Sequence, residues 1–83
     1  MDLKDTIDMM TSVDHQQRFK AEYDQTKIRR DRLYRMVESY ASDALGFTPK
    51  CPMELLMDQI KAMDKYLFIL LERAKIEGID LTT

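Results

Sequence analysis

Five positive charges fall within nine residues, at Lys27, Arg29, Arg30, Arg32 and Arg35, with Asp31 as the one acidic interruption. An arginine fork presents two parallel N–H groups, which match the oxygens of a phosphate or a carboxylate. Arg30 stands out because it occupies a helix-seam position where Leu would be ordinary. A guanidinium held near a helix interface is costly unless an anion meets it. Tyr23 lies one helical turn before Lys27 and two before Arg30. Its ring could stack on a base while the cations hold phosphate. The same run also suits a solvated face paired to Glu22, Asp24 and Asp31.

Catalytic chemistry finds no comparable set. His15 is the one histidine, and a general base needs a nucleophile and an orienting partner. Cys51 is the one cysteine, so no internal disulfide forms, and with a single His it cannot complete a four-ligand zinc site. No phosphate-binding Gly loop, Ser elbow or paired-His spacing occurs. The expectation is a protein that is not an enzyme and carries no cofactor or metal. A net charge of −2 speaks against DNA or RNA as the partner. The lone cysteine, an N-terminus without an apolar signal region, and no apolar run near the roughly 20 residues of a membrane span place the expected location in the cytosol of a host cell.

The elements that would position these groups are helical. Residues 1–83 read as a single all-α domain, with Gly and Pro occurring only twice each. Leu3, Ile7 and Met10 have the spacing of a short N-terminal helix within residues 1–12. Asp14, followed by Gln17, resembles a capping box for the next helix. From 14 to 45 one long helix carries a heptad-like seam of Phe19, Tyr23, Thr26, Arg30, Leu33, Val37, Tyr40 and Ala44. Gly46 is expected to end it, and the connector 46–52, with Pro49 and Pro52, turns the chain back. A second long helix, 53–77, then packs antiparallel, and Gly78 stops it before a tail at 78–83.

This last helix has two adjacent seams. One is Met53, Leu56, Ile60, Met63, Leu67, Leu70 and Ala74. The other is Leu55, Gln59, Ala62, Tyr66, Ile69, Arg73 and Ile76, with Gln59 and Arg73 as polar positions able to line a pocket. One partner helix covers only one such stripe. The second needs either the short N-terminal helix or another copy of the chain. Chains of this size have thin cores and gain from self-association when they lack disulfides and metals. A homo-oligomeric bundle is therefore expected.

The residues His15-Gln16-Gln17-Arg18, Glu22 and Leu33, followed by Leu55-Leu56, Gln59, Ala62-Met63, Tyr66-Leu67, Leu70 and Arg73, form a longer pattern over about residues 15–76. It resembles the small crAssphage-related helical proteins of phages and prophages. That resemblance implies a compact helical hexamer that opposes CBASS immunity. Such a protein sequesters cyclic dinucleotides and cyclic trinucleotides without cleaving them. Related sponges take cyclic ADP-ribose-type signals of Thoeris immunity. The connector departs from the more acidic ones of that group. Arg18, Glu22, Gln59, Tyr66 and Arg73 match the pattern, while Tyr23, Lys27 and Arg30 are chosen on chemistry. The expected ligand-binding set is Arg18, Tyr23, Lys27, Arg30, Gln59 and Arg73. A non-enzymatic helical adaptor for a host or phage protein is the competing expectation.

Overall fold

Asp2 opens the chain by capping a 3-10 turn at Leu3–Thr6, its side chain and that of Asp5 exchanging bonds with each other's backbone amides. The turn runs into the single-turn helix α1 (Ile7–Met10). Two long helices follow, α2 (His15–Ala41) and α3 (Met53–Glu77). They pack antiparallel, with Phe19 near the start of α2 against Leu70 and Ala74 near the end of α3. The structure is a computed structural model and describes residues 1–82. Among these, no helix is long and apolar enough to cross a membrane.

The first seam of α3 faces α2 as its spacing requires. Leu56, Ile60, Leu67, Leu70 and Ala74 are buried, and Met53 and Met63 are half-buried. Leu70 is fully enclosed. Phe19, Leu70, Ala74 and Ile79 form the central cluster, with Tyr23 and Leu81 packed on it. Gly78 stops α3 at φ +69°, a left-handed conformation open to Gly at no steric cost. The turn lets the Ile79 amide donate to the Ala74 carbonyl at 2.9 Å and delivers the Ile79 side chain to the core. Ala at this position meets no neighbouring atom and is strained only by its backbone. Gly78→Ala is expected to cost about 1–2 kcal/mol, a fall of roughly 5–15 °C in Tm by circular dichroism. An unchanged melting curve would show that the cap contributes nothing.

The α2 boundary departs from the sequence expectation. The helix ends at Ala41, not at Gly46. Asp43 takes the left-handed position at φ +59°, and the Asp43 and Ala44 amides donate to the carbonyls of Tyr40 and Ser39. A short polar side chain tolerates this conformation better than most, so the reversal forms three residues before the glycine. Pro52 precedes α3 as its N-cap and not as its first helical residue. Asp14 caps α2 by accepting from the Gln16 amide at 3.0 Å, a one-sided cap without the reciprocal Gln17 contact.

The N-terminal segment settles a choice that the sequence left open. It packs on α2 and does not touch α3. Met10 Sδ accepts from Gln25 Nε2 at 3.1 Å, and Asp2 pairs with Arg32 at 2.6 Å. Thr6 and Ala21 are fully buried. At about 100° per residue, Gln25 and Arg32 lie roughly opposite the side of α2 that meets α3. So α2 is a middle layer. The second stripe of α3 stays uncovered, with Leu55 57%, Ile69 43% and Ile76 86% exposed.

Candidate functional site

The hairpin has two flanks beside its buried seam. Residues of the second stripe (Leu55, Tyr66, Ile69 and Arg73) lie about 100° to one side of the core positions of α3. Met57, Asp64 and Phe68 lie about 100° to the other side. The cation candidates divide between these flanks.

Arg30 is on the Asp64 side. Its Nε donates to Asp64 Oδ1 at 2.7 Å and its Nη2 to Asp64 Oδ2 at 3.2 Å. Asp31 lies 3.5 Å from Nη1. The guanidinium also covers one face of the Tyr34 ring, 4.8 Å from its centroid. The anion that seam position demands is thus supplied from within the chain. These contacts, hydrogen bonding to Asp64 first, raise the Arg30 pKa further above its usual value. A partly exposed pair of this kind contributes on the order of 1 kcal/mol or less, so a ligand anion can compete for the guanidinium.

Lys27 sits 3.7 Å from Asp31. It borders a cleft that also carries Asp24 and Asp31. Asp24 Oδ2 is buried without a hydrogen-bond partner, and burial raises the pKa of this carboxyl against the pull of Lys20. An anion beside Lys27 would meet that acidic lining. Tyr23, expected to offer its ring to a base, is packed half-buried against the central cluster. An exposed ring beside Arg30 is that of Tyr34, 45% exposed, a residue not among the expected ligand contacts.

Arg18 and Arg73 lie at the far end of the hairpin. Arg18 Nη1 donates to the Ser12 carbonyl at 2.7 Å and so ties the loop after α1 to α2. Arg73 stacks on Phe19 at 4.9 Å and reaches Glu77 at 3.4 Å. Glu77 also meets His15 Nε2 at 3.1 Å, and these partners, His15 first, lower its pKa. His15 therefore helps to close the helix ends together. Gln59 is exposed, fourteen residues before Arg73 and about 21 Å from it along the helix. The six candidates do not converge on one pocket within a single chain. Cys51 is exposed in the connector, and no three metal-ligating side chains cluster among the described residues.

The fold defines an all-helical protein, two long antiparallel helices with a short N-terminal segment packed on the first. Residues 13–76 match the family model Sequestin, and the chain belongs to that family, whose members are phage anti-defence proteins that sequester and do not catalyse. A search of curated proteins finds no match, and a search of solved structures finds none either.

Proposed function

We propose that this protein sequesters a cyclic oligonucleotide immune signal in the cytosol of the host cell and holds it uncleaved, so that the defence effector is never activated. The ligand is a cyclic dinucleotide or cyclic trinucleotide of CBASS type, or a cyclic ADP-ribose-type signal. Copies of the chain join along the second stripe of α3 into a homo-oligomer, with a hexamer as the expected form. The carrying observation is the uncovered stripe itself, apolar at Leu55, Ala62, Ile69 and Ile76 and polar at Gln59 and Arg73. The N-terminal segment lies on the far side of α2 and, among the described residues, no other helix packs on the stripe. Candidate cations spread along about 20 Å of helix can close around one ligand only if copies combine them. Family membership supports sequestration as the outcome.

The test is a native mass spectrum of the purified protein, followed by incubation with a panel of cyclic di- and trinucleotides and cyclic ADP-ribose isomers. Heating then releases what was held. An assembly that retains one of these and returns it intact supports the reading. A monomer that retains nothing, or a ligand returned cleaved, rejects it.

The adaptor reading draws on the prior engagement of Arg30 by Asp64. In that case the stripe docks a foreign protein, and Arg30→Ala leaves function unchanged.

A further inference from the structure

A cleft of about 240 Å³ opens on the flank away from the stripe, between α2 and α3. Its apolar lining is Val37, Met57 and Ile60, and its polar groups are Arg30, Tyr34, Lys61 and Asp64. We propose that this cleft is a nucleobase subsite in which a flat heteroaromatic ring stacks on Tyr34, with its attached phosphate reaching Lys61. The ligand class is taken from the sequestering reading; the site is assigned on the following geometry.

The Tyr34 ring is backed on one face by the Arg30 guanidinium and is 45% exposed. Arg30 in turn is held by a two-point contact with the Asp64 carboxylate, with Asp31 3.5 Å from Nη1. The stacking surface is therefore fixed before any ligand arrives, which lowers the ordering cost of binding. Val37, Met57 and Ile60 give a ring the apolar edge that water would otherwise cover. Methionine adapts its shape to such a partner. Lys61 borders the same cleft, and among the described residues no carboxylate lies within ion-pair distance of it. It is the cation of the cleft that no carboxylate already holds. Asp64 spends one lone pair of each oxygen on Arg30 and has others left for the ring and exocyclic N–H groups of a base. Asp64 repels phosphate, so the ligand is oriented with its base toward Asp64 and its phosphate toward Lys61.

Size restricts the occupant. Pockets for drug-sized molecules run about 300–1,000 Å³. This cleft is smaller and takes one ring system, not a whole cyclic dinucleotide. Each base of a larger ligand would need the cleft of a separate copy.

The experiment titrates the full chain with adenosine 5′-monophosphate and with ribose 5-phosphate, calorimetrically, in the parent, Tyr34→Ala, Tyr34→Phe and Lys61→Ala. The panel of cyclic nucleotides is run beside it. Adenosine 5′-monophosphate is expected to bind at least tenfold more tightly than ribose 5-phosphate. Tyr34→Ala is expected to weaken it about tenfold or more, within the range for loss of one base–aromatic stack, while Tyr34→Phe keeps the affinity. Lys61→Ala is expected to weaken the nucleotide and to leave free adenosine unaffected. Parent and Tyr34→Ala chains that retain a cyclic nucleotide equally would overturn the cleft and leave sequestration standing. A parent that binds adenosine 5′-monophosphate through Tyr34 yet retains no cyclic nucleotide would do the reverse. Binding of neither overturns both.

Discussion

Ile69→Asp is expected to leave a folded chain that runs as a monomer and retains no ligand where the parent assembles. Ile69 sits in the exposed stripe of α3, away from the seam that meets α2. Ile69 is not part of the buried cluster, so helical content should stay close to that of the parent, while Tm should fall by what association contributed. A carboxylate placed at the centre of an apolar contact between copies has no partner there, and its desolvation costs several kcal/mol per interface. That corresponds to a loss of affinity of a hundredfold or more. Light scattering after size exclusion reads the mass, and heat release reads the ligand. Phe68→Asp is the control, because Phe68 is exposed as well, 60% against 43%, but lies on the other flank; it should keep the assembly. An Ile69→Asp chain with the parent's mass would mean that the stripe is not where copies meet.

Leu70→Ala is expected to have the largest effect on stability. Leu70 is fully buried and touches both helices' contributions to the central cluster. Truncating such a residue removes its transfer free energy and leaves a cavity, together about 2–5 kcal/mol. An 83-residue domain has little stability to spare, and each kcal/mol is worth roughly 4–8 °C in Tm. A fall of about 10–30 °C in a thermal melt is the expected reading. Saturating ligand should recover part of it, because a ligand that binds only the folded chain stabilises it by mass action. A shift of only a few degrees would mean that Phe19 and Ile79 close over the gap. The two variants separate assembly from folding: the first changes mass while helical content is kept, the second removes packing from the core itself.

Much of this architecture was legible because helical periodicity carries it. The two seams of α3 divide as their spacing says, one buried and one exposed, and Gly78 with Ile79 closes the helix as those residue types suggest. Contacts between elements were less legible. Arg30 was identified as needing an anion, but its partner is 34 residues away. Only the register of the hairpin names Asp64, and that register depends on where α2 ends. Asp43 ends it by adopting a backbone conformation that its side chain tolerates but does not announce. Tyr23 and Tyr34 sit on the same broad face of α2, so the periodicity could not say which ring the core would take. The level of Leu70 and Ala74 decided for Tyr23. The N-terminal segment was readable as a helix but not as a layer, since Gln25 and Arg32 look like solvated positions until Met10 and Asp2 meet them.

Because the N-terminal segment and α3 grip opposite sides of α2 without meeting, either can let go while the other holds. The molecule is then two cooperative units sharing one rod, and not one block. The segment is pinned by the Asp2–Arg32 ion pair, the Gln25–Met10 contact and the burial of Thr6 and Ala21. Its detachment would bare the strip of α2 around Ala21 and leave the hairpin, its cleft and its outer stripe in place. A partner or protease that captured the loosened end would thus act on the chain without dismantling what it holds.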